Sequence, residues 1–114
     1  MTTSEQTVVD HTEAHRFEVR VDGVVAGYAE YRRRGGSVAF THTVVDDAFE
    51  GRGLGSALAR GALDAVRAEG SAVLPFCPFI RSWIQRHPDY ADLVPEGRRA
   101  EFGLSGGQPA EPSR

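Results

Sequence analysis

Three groups of residues in this sequence have the types and the spacing to do chemistry. A glycine-rich segment runs from Glu50 to Ser56 (EGRGLGS) and follows a stretch rich in β-branched residues. Cys77 is the single cysteine of the chain and stands directly before Pro78. His42 comes shortly before the glycine-rich segment. These residues make one candidate anion site, one candidate nucleophile and one candidate base.

The glycine-rich segment predicts a binding site for phosphate. Glycines let a ligand approach the main chain, and the N–H groups that begin the next helix point at it with the positive end of the helix dipole. A turn that needs glycine only for its geometry is an equally good interpretation. The candidate binding residues are Gly51, Arg52, Gly53, Leu54, Gly55 and Ser56.

Two other phosphate-binding motifs do not fit this segment. A dinucleotide-binding loop requires glycine or alanine at the position of Ser56. A nucleotide phosphate loop requires a lysine, and the chain has none, since all 13 basic residues are arginine. The absence of lysine also removes Schiff-base chemistry.

Cys77 is the candidate nucleophile. Pro78 suits the first position of a helix, which makes Cys77 the residue that caps it. Unpaired N–H groups and the helix dipole at such a position favour a thiolate, which can accept an acyl group and pass it on. Two alternatives stay open: Cys77 packs as a small apolar side chain, or it lines the pocket of the ligand without reacting.

Histidines supply the candidate base. Imidazole titrates near neutral pH, so His42 is a candidate general base for an amine, or a group that polarises Cys77. The alternative is a core histidine bonded to the main chain. His87 precedes Pro88 at the end of a predicted helix, where it is expected to cap. Four histidines without a cluster of cysteines or carboxylates predict no metal site.

The elements that position these residues follow from apolar periodicity. Alternation predicts strands over 16–21, 24–31 and 38–45, with Phe40 and His42 on one face of the third strand. Spacings of three and four predict a helix that begins at Leu54, then a short strand and a second helix from Pro78. The predicted fold class is therefore α+β: an antiparallel three-strand meander followed by helix, strand and helix.

Length and charge bound the organisation of the chain. A chain of 114 residues predicts one domain, here over 15–102, with a flexible N-terminus over 1–14 and a disordered tail over 103–114. A net charge of −3 without a basic face argues against nucleic acid as a partner. No apolar run approaches the roughly 18 residues of a membrane span, and no secretory signal is recognisable, so we expect a cytoplasmic protein.

The glycine-rich segment resembles the pyrophosphate-binding loop of the GCN5-related N-acetyltransferase superfamily, whose pattern is Arg/Gln-x-x-Gly-x-Gly/Ala between a strand and a helix. Gly53 and Gly55 match this pattern, whereas Glu50 places a carboxylate at its first position. Together with His42-Thr43, the segment 75–80 (PFCPFI) and the segment 87–90 (HPDY), the match resembles the small YjdJ-type acetyltransferase-like domains and covers nearly all of 15–95.

The resemblance implies a truncated acyl-CoA N-acyltransferase fold with acetyl-CoA as co-substrate. The phosphates would lie on the main chain of 51–56, and the pantetheine arm along the third strand near Thr43 and Val44. A main-chain N–H near Val44 or Val45 would serve the oxyanion. The acetyl group would pass to an amine, on a small molecule or a protein, directly with His42 as base or through Cys77. The alternative is a CoA-binding or protein-interaction module with this fold and no catalysis.

Overall fold

The computed structural model describes residues 5–46 and 53–104. The described strands form one sheet in the order β1-β2-β3-β4-β5, antiparallel from β1 to β4 and parallel between β4 and β5. The strands are β1 (Gln6–His11), β2 (Arg16–Val21), β3 (Val24–Arg34), β4 (Ser37–Val45) and β5 (Ala72–Pro75). The helices are α1 (Leu54–Ala68) and α2 (Pro78–Arg86), and short 3-10 turns lie at Thr12–Ala14, Pro88–Leu93, Glu96–Arg98 and Ala100–Phe102. The predicted α+β class is confirmed.

The antiparallel part of the sheet has one strand more than predicted. We expected residues 1–14 to be flexible, but β1 pairs along its whole length with β2. Only Val8 of this strand packs against the core, so its apolar pattern is weak. The strand forms because the edge of β2 offers unpaired main-chain groups, a cause that lies outside the segment itself.

The core lies between one face of the sheet and both helices. β2, β3 and β4 contribute Phe17, Tyr31 and Phe40, whose ring centroids lie 5.3–6.3 Å apart. Helix α1 packs across β1, β2 and β3, and α2 packs against β4 and β5. Trp83 of α2 is fully buried, as its spacing predicted. The predicted hairpin turn between β2 and β3 is confirmed, with positive φ at Asp22 and Gly23.

Close packing of β1 on α1 requires a glycine at position 61. A Cβ atom on Gly61 would lie 2.7 Å from Cβ of Val8, which is too close for either backbone to stay in place. We expect Gly61→Val to lower the free energy of unfolding by about 1–3 kcal/mol, more than the gain in helix propensity returns. Urea unfolding measures this. Gly36→Ala is the control, because a Cβ there has no neighbour within 4 Å; equal stability of both variants would contradict this packing.

The face of the sheet opposite the helices, called the outer face below, contains a buried carboxylate. Glu18 is 1% exposed although it lies outside the apolar core. Its Oε2 bonds to His11 Nδ1 and Arg16 Nε at 2.8 Å, and its Oε1 to Arg20 Nη2 at 2.6 Å. Burial alone would raise the pKa of Glu18, but the hydrogen bonds from His11, Arg20 and Arg16 lower it to about 2. The carboxylate thus stays charged and ties β1 to β2.

The packed region extends to the end of the described chain. Leu104 is buried, two residues beyond the predicted boundary, while residues 105–114 of the predicted tail lie outside the described residues. Neither α1 nor α2 has both the length and the apolar character needed to span a membrane. The domain boundaries and the cytoplasmic location stay predictions.

Candidate active site

Cys77 lies at the junction between β5 and α2. It is the N-cap residue of α2, with Pro78 in the first turn, as the sequence predicted. Its N–H donates to the carbonyl of Phe40 at 2.8 Å, which fixes the start of α2 against β4. The side chain is 2% exposed and belongs to the core. Cys77 therefore places a buried thiol at the N-terminal end of α2, although its side chain makes no capping hydrogen bond there.

The hydroxyl of Thr43 contacts this thiol. Thr43 Oγ1 and Cys77 Sγ are 3.1 Å apart, and either atom can donate the hydrogen bond. The two residues are 34 positions apart in the chain, and the parallel register of β4 with β5 brings them together. The contact therefore joins a hydroxyl of β4 to the thiol at the start of α2.

β4 has an open edge next to Cys77. β5 pairs with β4 only as far as Phe40, and none of the described strands pairs with this edge of β4 beyond that point. Asp46 N–H donates to Ala26 O of β3, so alternation along the strand turns the main-chain groups of Thr43 and Val45 toward the open edge. Those of Val44 turn toward β3. Of the three strand residues predicted to bind the ligand, Thr43 and Val45 thus present main-chain groups at this edge.

His42 does not lie beside Cys77, and the predicted face of its side chain is wrong. The register of β3 and β4 shifts so that Tyr31 pairs with Phe40 but Glu30 pairs with His42, which leaves Thr41 as a bulge. A bulge reverses the alternation after it. Phe40 and Thr43 consequently face the helices, whereas His42 is exposed on the outer face.

The glycine-rich segment is described from Gly53 onward, and Glu50, Gly51 and Arg52 lie outside the described residues. Gly53 is the N-cap of α1 with a left-handed φ of 70°, a conformation that suits glycine. The first hydrogen bond of the helix runs from Ala57 N–H to Gly53 O at 3.1 Å. The N–H groups of Leu54, Gly55 and Ser56 therefore precede the helical ladder, at the end of a helix where anions bind.

The N-termini of α1 and α2 converge. A Cβ atom on Gly55 would lie 2.8 Å from Cζ of Phe79, so the absence of a side chain lets α2 approach α1. One turn further on, Trp83 Nε1 donates to Ser56 Oγ at 2.9 Å. The candidate anion site and Cys77 are thus held at the same end of two packed helices.

A polar and aromatic cluster supports this arrangement and was not predicted as a unit. The ring of His87 stacks on Trp83 at 3.9 Å, and its Nδ1 bonds to Trp83 O, which confirms the predicted capping of α2. Tyr90 packs edge-on against Trp83 and donates to Asp64 of α1 at 2.8 Å. Burial, followed by the bond to Asp64, raises the pKa of Tyr90. The HPDY segment thereby joins the two helices.

The arrangement combines a buried thiol, a hydroxyl bonded to it, main-chain donors at an open strand edge and a second set of donors at the start of α1. These groups suit a long ligand with an electrophilic carbonyl at one end and phosphates at the other. Within residues 5–46 and 53–104, no three metal-ligating side chains cluster.

The sequence pattern of the GCN5-related N-acetyl-transferase family matches residues 16–93. No curated protein showed significant similarity to the chain. The matched region begins at β2 and ends with the 3-10 turn after α2, so it includes Thr43, the start of α1 and Cys77. Because this match covers most of the chain, the protein belongs to the GCN5-related N-acetyltransferase family.

Proposed function

We propose that this protein binds acetyl-CoA and transfers the acetyl group to an amine through Cys77. One observation carries the proposal: Thr43 Oγ1 lies 3.1 Å from Cys77 Sγ at the point where the edge of β4 opens and α2 begins. A buried cysteine that served only as an apolar side chain would need neither the hydroxyl nor the helix N-terminus.

Acetyl-CoA suits the site because its chemical groups and the available donors follow the same order. Its pyrophosphate would lie on the main-chain N–H groups of the segment 51–56, of which Leu54, Gly55 and Ser56 precede the ladder of α1. Its amide-bearing arm would bond to Thr43 and Val45 along the edge of β4. Membership of the family supports acetyl-CoA as the donor.

The transfer proceeds in two balanced steps. The Cys77 thiolate attacks the thioester carbonyl, a new C–S bond forms, and CoA leaves as its thiol after taking up one proton. The neutral amine then attacks acetyl-Cys77, an amide bond forms and the C–S bond to Cys77 breaks. The Cys77 thiolate is released, and the nitrogen loses to solvent one proton, which balances the proton that CoA took up. The oxyanion of each step would be stabilised by the Val45 N–H or by the first N–H groups of α2.

Two other readings of the site make different predictions. In direct transfer the amine attacks the thioester itself, with water or His42 as base, although His42 lies on the outer face. In a non-catalytic module, CoA binds and no acetyl group moves. Calorimetric titration with CoA, against ATP and NAD as controls, tests the binding step common to all three. We expect binding heat with CoA and none with ATP or NAD. The absence of binding heat with CoA would overturn the proposal.

A variant of Gly55 separates ligand binding from packing. Gly55→Val places methyl groups among the donors of α1 and against Phe79, so we expect CoA affinity to fall about tenfold or more. Phe79→Ala provides the space that the new side chain needs. If the glycine serves the ligand, the double variant still binds CoA weakly while Phe79→Ala alone binds normally. Full recovery in the double variant would show that Gly55 serves packing only.

A further inference from the structure

The three consecutive arginines at the end of β3 are divided between the two faces of the sheet. Side chains alternate along a strand, so Arg33 lies on the helix face, while Arg32 and Arg34 lie on the outer face. Arg33 forms ion pairs with Glu69 and Asp10. Among the residues that the structure describes, Arg32 and Arg34 have no carboxylate partner.

Arg32 and Arg34 border a cavity of about 420 Å³ on the outer face. Its walls are largely apolar and come from Ala39, Leu74 and Phe76, of which Phe76 is 45% exposed. Arg98 also borders the cavity, although its charge is shared with Glu101 at 2.7 Å. An apolar cavity edged by uncompensated guanidinium groups suits a ligand with an apolar body and an anionic end.

The same cavity adjoins the backbone of Cys77. Thr41, the bulged residue of β4, lines it, and so does Phe76. Thr41 directly follows Phe40, and Phe76 directly precedes Cys77; Phe40 and Cys77 are joined by the 2.8 Å main-chain hydrogen bond. A molecule in the cavity therefore lies next to the opening between β4 and β5, on the side away from the helices.

A second cavity adjoins the first, and its lining includes Tyr31 and Arg33 of the helix face as well as residues of the outer face. It measures about 350 Å³, shares Arg32 and Thr41, and also contains Glu30. The carboxylate of Glu30 attracts a protonated amine, whereas Arg32 and Arg34 attract an anion. Charges of both signs thus border the two cavities that share Thr41.

We propose that the cavity bordered by Arg32 and Arg34 is the acceptor site, and that it takes a primary amine with an apolar body and a carboxylate. This inference rests on the proposed acetyl transfer. The carboxylate lies between the two arginines, and the amine reaches the reaction centre past Thr41. There the amine first gives up its ammonium proton to solvent. The neutral nitrogen then forms the amide bond, loses a second proton, and displaces the sulfur of acetyl-Cys77 from the acetyl carbon.

A matched pair of probes tests this assignment. Para-(aminomethyl)benzoate and para-(aminomethyl)benzamide share the amine and the ring, and only the first carries a carboxylate. Each is titrated into the full chain saturated with CoA, and each is assayed for acetylation with acetyl-CoA. We expect the carboxylate to bind and react about tenfold better, and added salt to reduce the difference. The double variant Arg32→Gln/Arg34→Gln should lose the preference for the carboxylate probe and keep the CoA affinity of the wild type. The control variant Arg86→Gln, changed on the surface of α2, should keep the preference for the carboxylate probe.

The outcomes separate this inference from the proposed function. If CoA binds and the two probes behave alike, or neither binds, the acceptor assignment is overturned and the acetyl-CoA site stands. If the preference survives in the double arginine variant, the anion is recognised elsewhere and the assignment is also overturned. If CoA does not bind but the carboxylate probe does, the cavity is an anion site and the proposed function fails.

Discussion

Incubation with acetyl-CoA is expected to add the mass of one acetyl group to the wild-type protein and none to Cys77→Ala. The thiol is held at the N-cap of α2 and bonded to Thr43, so it is the group best placed to attack a thioester at the open edge of β4. Transfer to an amine should fall about 100-fold or more in this variant. Intact-mass spectrometry and release of free CoA thiol measure the two effects.

Three controls make the result specific. Neutral hydroxylamine should remove the acetyl group, because a thioester is cleaved and an amide is not. Thr43→Val, which keeps the shape and removes the hydroxyl, should slow acetylation of Cys77 about tenfold without lowering CoA affinity. Cys77→Ser is the third control. This variant should fold normally, which would show that α2 tolerates a substitution at its N-cap. Transfer at an unchanged rate in Cys77→Ala, without any adduct on the wild type, would exclude the cysteine route and favour direct attack.

Glu18→Gln is expected to lower the free energy of unfolding at neutral pH by about 2–4 kcal/mol. The substitution leaves Arg16 and Arg20 without their shared counter-charge and removes the anchor between β2 and His11 of β1. Glu13→Gln is the control, because Glu13 is exposed in the turn that follows β1. Urea unfolding of the three proteins at neutral pH gives the comparison.

The dependence of the free energy of unfolding on pH, in the acid range, should also show the contribution of Glu18. The folded-state pKa of Glu18 is about 2, below its ordinary value of 4.5, so the unfolded chain takes up this proton first as pH falls. The stability that Glu18 contributes is complete above about pH 4.5 and disappears toward pH 2. Wild type should therefore lose more stability than Glu18→Gln over this interval. Equal losses of stability in the two proteins over this interval would show that the buried carboxylate is not held in its charged form.

Much of the fold was predictable because its signals are local. Alternation of apolar residues predicted β2 correctly, and Asp22-Gly23 predicted the turn that follows it. Pro78 predicted the start of α2 and therefore the cap position of Cys77. Each of these features depends on residues a few positions apart in the chain, and such interactions form whatever the rest of the molecule does.

Other features of the site arise only from tertiary structure. β1 lacks a strong pattern of its own and forms on the edge of β2. Glu18 is buried because His11 of β1 and Arg16 and Arg20 of β2 all bond to its carboxylate. The outer face of the sheet also brings Arg32 together with Phe76, from strands and loops that are far apart in the sequence.

The sequence by itself determined that the single cysteine caps α2 and that α1 begins at Gly53-Leu54. It also determined that no lysine is present for chemistry. The tertiary structure alone decided which groups meet. It placed Thr43 rather than His42 beside Cys77, because the bulge at Thr41 reverses the faces of the strand that follows. A helix cap is a local hydrogen-bonding problem, whereas the face of a strand residue depends on register, where a shift of one residue reverses every side chain.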